Sequence, residues 1–172
     1  GSIPFAVIIS KFAGIGDIRK YGSGNPGATN MTKVAGKKWG AITLLLDLGK
    51  GVLAVLLANY IFKYPAAGAL FVVIGHCFSV FLKFGGGKGV ATLLGCLAAV
   101  FPMAAGGMAV VYVALLLLTR ISAIGSLGGI FFVVCYTRLY PPTFAVQCLV
   151  FGGAMLVLVR HRKNLHRLLG FQ

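Results

Sequence analysis

Uncharged apolar runs fill most of this chain, and they limit it to a membrane. Trp39 to Phe62 is broken only by Asp47 and Lys50. Ala66 to Leu82, Val90 to Thr119, Ile121 to Thr137 and Thr143 to Val159 carry no Lys, Arg, Asp or Glu at all. At 1.5 Å per helical residue, each of the shorter runs covers roughly 25 Å and crosses hydrocarbon with some local adjustment. A soluble domain is excluded by the same arithmetic. Only 10% of the residues are charged and 59% are hydrophobic, against about 25% charged in soluble proteins.

The run from Val90 to Thr119 would make a helix of about 45 Å, too long for one crossing, and Pro102 sits near its middle. Two short helices are expected there. The apolar stretch before residue 13 has no basic region ahead of it, is too short to span, and reads as the end of a longer first helix. With it, the sequence predicts an all-α membrane protein of seven transmembrane helices, its first truncated, forming one integral membrane domain over residues 1–172.

Sidedness follows from the basic residues, sixteen against two acids, Asp17 and Asp47. With seven crossings, Lys11, Arg19, Lys20, Lys33, Lys37, Lys38, Lys83, Lys88, Arg120, Arg160, Arg162, Lys163 and Arg167 fall on one side. Only Lys63 and Arg138 fall on the other. That bias is the mark of cytoplasmic loops, so the C-terminus is expected in the cytoplasm. The basic residues are scattered between apolar runs rather than gathered on a hydrophilic domain, which argues against nucleic acid. Cys77, Cys96, Cys135 and Cys148 form no C-x-x-C pair and read as small buried fillers.

Three polar clusters share the basic face: "GSGNPGATN" (Gly22 to Asn30), "FGGGKGVAT" (Phe84 to Thr92) and "RHRKNLHRLLG" (Arg160 to Gly170). In the first, Gly22, Gly24 and Gly27 let backbone N–H groups approach an anion, and Ser23, Asn25, Thr29 and Asn30 add neutral donors. An ordinary turn-rich connector is the bland alternative, but Lys33, Lys37 and Lys38 follow closely and favour a phosphate. The second cluster lacks the spacing of a nucleotide-binding P-loop, since Leu82 and Gly89 occupy two of its required positions. It leaves Lys88 among glycines at a helix N-terminus, either an anion ligand or a headgroup anchor. In the third, His161 and Asn164 share a helix face, with Arg160 and Arg167 nearby as a topology signal. His76 is as readily a packed, hydrogen-bonded residue as a functional one. Asp47 and Lys50, at i and i+3, read as a structural pair.

Such a site suits one or two phosphate-bearing ligands. With Asp17 the only acid on that face, a carboxylate-bound metal is poorly supported, and no Gly-x-Ser-x-Gly elbow is present.

The chain resembles the bacterial acyl-phosphate-dependent glycerol-3-phosphate acyltransferases. The resemblance runs end to end through "GSIPF" (Gly1 to Phe5), "DIRKYGSGNPGATN" (Asp17 to Asn30), "LDLGKG" (Leu46 to Gly51), "GHCFSVFLKFGGGKGVAT" (Gly75 to Thr92) and "RHRKNLHRLLG". It implies a multi-pass enzyme of the bacterial inner membrane with a cytoplasmic active site. The enzyme would transfer an acyl chain from acyl phosphate to the sn-1 hydroxyl of glycerol 3-phosphate, giving lysophosphatidic acid and phosphate without cofactor or metal. By motif match, Ser23, Lys88 and His161 would be catalytic. Ser23 and the glycine loop with Asn25 and Thr29 would hold a phosphate, Lys33 and Lys88 would bind anionic oxygens, and His161 and Asn164 would position glycerol 3-phosphate. Ser126, in the shorter "RISAIGSL", matches a further substrate contact. Two departures stand out: Lys33 replaces a frequent arginine, and Gly85 a frequent basic residue. The proton acceptor is left open between His161, His76 and a substrate phosphate. An anion transporter and a noncatalytic headgroup-binding scaffold are the competing classes.

Overall fold

The computed structural model describes residues 1–168 and 170, and its regular elements there are helical. In chain order they are α1 (Phe5–Phe12), a 3-10 turn (Ile18–Lys20), α2 (Ala28–Ala35), α3 (Lys37–Phe62), α4 (Pro65–Cys77) and a second 3-10 turn (Val80–Leu82). Then come α5 (Val90–Val100), α6 (Pro102–Thr119), α7 (Ser122–Leu139), α8 (Phe144–Arg160) and α9 (Arg162–Leu168). Leu169, within the last sequence cluster, lies outside the described residues.

The breaks between helices have local causes. α3 stops at Lys63, which takes a left-handed conformation (φ 61°), and Pro65 opens α4 at a position needing no amide donor. The expected division of Val90 to Thr119 occurs at Phe101 and Pro102, because proline cannot continue the ladder of α5 but is suited to the first turn of α6. At the far end of α6, Arg120 is left-handed (φ 59°), and the Thr119 hydroxyl accepts the Ile121 N–H at 3.2 Å. α8 and α9 meet at His161 with a 60° bend.

Four segments are long and apolar enough to cross a membrane: Lys37–Phe62, Pro65–Leu82, Pro102–Thr119 and Ser122–Leu139. The bent α8–α9 pair makes a fifth if counted as one span. Seven crossings are not reached by this measure. α1 has 8 residues and α5 has 11, short of the roughly 20 that a full crossing takes.

Lipid tails are as apolar as leucine, so close backbone approach rather than hydrophobic burial brings membrane helices together. α3 and α5 meet in this way: a Cβ on Gly95 would lie 2.9 Å from the Leu48 carbonyl carbon. α6 and α7 do likewise, a Cβ on Gly125 falling 2.7 Å from the Tyr112 carbonyl oxygen. The main core lies between α4, α5 and α8, where Val73, Cys77, Leu97 and Val157 are fully buried. A smaller cluster of Ala6, Ile18 and Met31 seats α1 and α2. Outward-facing Leu45, Phe71, Val110, Phe131 and Met155 remain exposed, as a lipid-facing belt requires.

Phe101 and Tyr140 flank Tyr136, with ring centroids 5.6 and 4.9 Å away, so the α5–α6 turn and the α7–α8 connector share one end of the bundle. At the opposite end, Thr29 meets Ser122. The Val90–Thr119 segment therefore goes out and back, and Lys88 and Arg120 return to the same end.

Candidate active site

The first wall of the site is a loop held from beneath. Asp17 caps the first 3-10 turn by accepting the Arg19 N–H, and it pairs with the Arg19 guanidinium at 2.6 Å. That pairing holds the Asp17 carboxyl at a pKa of about 2, so the acid is an anionic partner of Arg19. Gly22 (φ 57°) and Gly24 (φ 70°) then turn the chain through the left-handed region. Asn30, expected to be a donor to ligand, is instead buried and committed to the loop. Its Oδ1 accepts the Ser23 N–H at 2.9 Å, and its Nδ2 donates to the carbonyls of Tyr21 (3.0 Å) and Ile18 (3.3 Å). Gly27 precedes the first turn of α2, whose amides are the helix-end donors of this wall. The Thr29 hydroxyl lies 3.0 Å from that of Ser122, which is itself 3.1 Å from Tyr112 Oη.

The second wall is the glycine run after α4. Lys83 (φ 51°) and Phe84 (φ 63°) are left-handed and swing the chain back over His76. The Gly87 N–H donates to the His76 carbonyl at 3.1 Å, leaving Lys88 at the mouth of α5. Burial lowers the Lys88 pKa, and the positive charges of Arg167 and Lys33 lower it further.

The third wall is the α8–α9 bend. Arg160 donates from Nε to the Gly87 carbonyl at 3.0 Å and from Nη2 to that of Gly86, with its guanidinium 5.5 Å from the centre of the Phe78 ring. His161 is buried, and its Nδ1 meets the Val157 carbonyl at 2.8 Å. A carbonyl cannot donate, so Nδ1 carries the proton and the neutral ring leaves Nε2 as an acceptor. Burial lowers the His161 pKa, opposed by that hydrogen bond and aided by the Lys88 charge.

These walls enclose a cavity of about 370 Å³. Ser23, Gly24, Asn25 and Pro26 line it from the first segment, Phe78, Gly85, Gly86 and Lys88 from the second, and Val159, Arg160, Arg162, Lys163, Asn164 and Arg167 from the third. Among the expected residues, Ser23, Gly24, Asn25, Lys88 and Asn164 thus share one space. Gly22, Gly27, Thr29, Lys33, Ser126 and His161 do not line it. Gly22 and Gly27 shape the loop behind it, and Lys33 acts on Lys88 through charge. Ser126 is buried on α7, its hydroxyl donating to the Ser122 carbonyl at 2.9 Å. His76 lies beneath the second wall and not in the cavity, with its Nδ1 2.7 Å from Lys50 Nζ.

From sequence, Arg160, Arg162, Lys163 and Arg167 all read as topology signals. In the structure Lys88, Arg160, Arg162, Lys163 and Arg167 present five cations to the cavity, and among the described residues no carboxylate lines it. Three of these, Arg162, Lys163 and Arg167, sit on α9, and the 60° bend at His161 that turns them inward is a tertiary feature. The site attracts and orients anions, and it stabilises developing negative charge.

The description "Glycerol-3-phosphate acyltransferase" belongs to the family model that matches residues 1–170. Curated relatives of that name include one from Caulobacter vibrioides, 45% identical over 98% of this chain and 79% of the relative. Another, from Bartonella henselae, is 38% identical over 98% of this chain and 83% of the relative. The fold matches the crystal structure of PlsY (YgiH), an integral membrane glycerol 3-phosphate acyltransferase, in its glycerol 3-phosphate form. That match has a TM-score of 0.92 and 35% identity, covering 99% of this chain and 88% of the other. The lysophosphatidic acid form of PlsY matches with a TM-score of 0.89 and 34% identity, over 99% and 87% of the two chains.

Proposed function

Because the chain belongs to the glycerol-3-phosphate acyltransferase family, integral membrane enzymes of phospholipid synthesis, we propose that its donor is an acyl phosphate and its target the sn-1 hydroxyl. One observation carries this reading: Ser23, Lys88 and Asn164, from three distant segments, line a single cavity to which the described residues bring five cations and no carboxylate. Two anionic reactants brought side by side need that surplus of positive charge. A volume of about 370 Å³ suits two phosphate-bearing head groups better than a nucleotide-sized thioester carrier.

In this proposal the acyl-phosphate head rests on the Ser23 hydroxyl, the amides of the Ser23–Asn25 turn and Lys88. Glycerol 3-phosphate is oriented by Asn164, with the α9 cations on its phosphate. The glycerol oxygen attacks the acyl carbonyl, the carbonyl carbon–phosphate oxygen bond breaks, and the hydroxyl proton goes to the departing phosphate. Loop amides and Lys88 stabilise the charge that grows on that phosphate. The proton goes to substrate because, among the described residues, no carboxylate lines the cavity and the His161 ring is not on its surface; His161 is then assigned to holding the α8–α9 bend near the glycerol site. Positioning and charge carry the reaction, with no cofactor or metal.

We place the protein in the bacterial inner membrane as one domain of seven crossings, α1 and α5 being the two beyond the five counted by length. The cavity and C-terminus would face the cytoplasm, as the distribution of lysine and arginine favours. The test is purified protein incubated with glycerol 3-phosphate and either palmitoyl phosphate or palmitoyl-CoA, following phosphate release and product by mass spectrometry. Lysophosphatidic acid from palmitoyl phosphate alone is the expected result. Product from the thioester would overturn the donor assignment, and flux across liposomes without product would favour a transporter.

A further inference from the structure

Beneath the second wall lies a polar cluster that the reaction above does not use. Lys50 Nζ sits 2.6 Å from Asp47 Oδ1, 2.7 Å from His76 Nδ1 and 3.3 Å from the Ile3 carbonyl oxygen, so its three N–H bonds have three acceptors. Asp47 is 2% and His76 9% exposed. The three side chains come from α3 and α4 within the bundle, where ionisable groups are costly. A buried ion pair is weak grounds for stability, because apolar residues of similar volume often serve as well.

The position of the cluster indicates a role. His76 supports the glycine loop directly: its carbonyl accepts the Gly87 N–H, and a Cβ on Gly87 would fall 2.9 Å from its Cε1. From the other side Arg160 holds the Gly86 and Gly87 carbonyls. A second space, of about 10 Å³, lies between the cluster and the site. Asp47 and His76 line it, together with Pro26 and Gly86, which also line the main cavity. The glycine loop thus rests on this buried group, and the first loop borders it at Pro26.

We propose that Asp47, Lys50 and His76 form a positioning network that fixes the height and register of the Gly85–Lys88 loop, and so the placement of the Lys88 ammonium against the leaving phosphate. Resting on the proposed acyl transfer, the network makes His76 a positioning residue, since its ring contacts Lys50 and the loop and does not line the cavity. Lys50 holds the imidazole through Nδ1, and the imidazole sets Gly87, one residue before Lys88. A displacement of about 1 Å at a reacting group costs up to about 100-fold in rate. Substrate affinity, spread over the α9 cations and the first loop, is largely untouched.

The experiment is steady-state kinetics on the full chain with palmitoyl phosphate and glycerol 3-phosphate, comparing wild type, His76→Leu and His76→Asn, with detergent melting temperatures. Asparagine places its amide oxygen where Nδ1 stood and keeps the acceptor for Lys50; leucine does not. The expected result is a kcat about 10- to 100-fold lower for His76→Leu, with KM for glycerol 3-phosphate within about 3-fold of wild type. His76→Asn should keep kcat within about 5-fold. Should His76→Leu not accumulate as folded protein, His76→Gln, which lacks a polar atom at the Nδ1 position, replaces it with the same expectation. Unchanged kcat in the leucine or glutamine variant, a loss confined to KM, or equal losses in the asparagine and leucine variants would each overturn the network's role. A wild-type protein that makes no product overturns the reaction itself, which separates the two failures.

Discussion

Arg160, at the end of α8, donates from Nε to the carbonyl oxygen of Gly87 at 3.0 Å, across 73 residues of sequence, and its Nη2 reaches the Gly86 carbonyl. The last long helix is thereby tied to the loop that carries Lys88. A guanidinium spans two adjacent carbonyls because its donors are held in a rigid fork; an ammonium is a single point. Arg160→Lys should therefore keep the charge of the cavity and lose the clamp, lowering kcat/KM about 10-fold, with the larger part in kcat. Arg160→Met removes charge and clamp and should lose more. Equal activity in wild type and the lysine variant would mean that the clamp is not needed for catalysis.

Asn30 is the corresponding clamp of the first loop, and there the expected damage is to stability as well as rate. Asn30→Ala leaves the Ser23 N–H without its acceptor, at about 1–3 kcal/mol where water cannot reach it, and takes one of two donors from the Tyr21 and Ile18 carbonyls, which keep the N–H groups of Gly24 and Tyr21. The melting temperature should fall by several degrees, and KM should rise as the loop loosens. Asn30→Asp keeps the acceptor for Ser23 but turns a charge toward two carbonyls, and should be no better. A melting curve that does not move would show that the loop holds itself.

Helix contact makes a third pair of variants. Gly95 faces the Leu48 backbone, which cannot step aside, whereas Gly49, one residue further along α3, has open space where a Cβ would stand. Gly95→Ala should lower thermal stability by about 1–3 kcal/mol. Gly49→Ala should raise it slightly, by up to about 1 kcal/mol, through the better helix propensity of alanine. If the two variants melt alike, α3 and α5 do not approach as closely as described.

The lengths of the uncharged apolar runs and their punctuation make much of this architecture legible. Pro102 marks the break between α5 and α6 because ring closure removes a donor wherever it occurs. The convergence of three glycine- or cation-rich segments was also readable, since membrane sidedness leaves polar loops few places to go. Which polar atom faces ligand was not. Asn30 looked like a donor because its side chain is short and amidic, but only tertiary contacts show its oxygen and nitrogen already engaged. The basic residues of α9 were undervalued because cations at a terminal helix already have a topological explanation; the bend at His161 turns them inward. The Asp47–Lys50 pair was visible as an i, i+3 spacing, but its link to His76, on another helix, was not.

The Lys88 ammonium yields the last prediction, in the pH profile. Burial, with the charges of Arg167 and Lys33, lowers its pKa below the ordinary 10.5. A cation that stabilises the departing phosphate works only when protonated, so kcat/KM should be full below this lowered pKa and fall as pH rises through it, earlier than an ordinary lysine would allow. Arg167→Gln removes one repelling charge, raises the Lys88 pKa and should carry the alkaline limb upward. Lys88→Arg should abolish the limb while retaining part of the rate, since a guanidinium does not titrate in this range. Lys88→Ala should lose about 100- to 1000-fold in kcat, the usual cost of removing one preorganised charge-stabilising donor. Rates are measured between about pH 6 and pH 10 with the enzyme-free hydrolysis of acyl phosphate subtracted. An alkaline limb that persists in Lys88→Arg would assign the titration to another group, and full activity in Lys88→Ala would remove the lysine from the reaction.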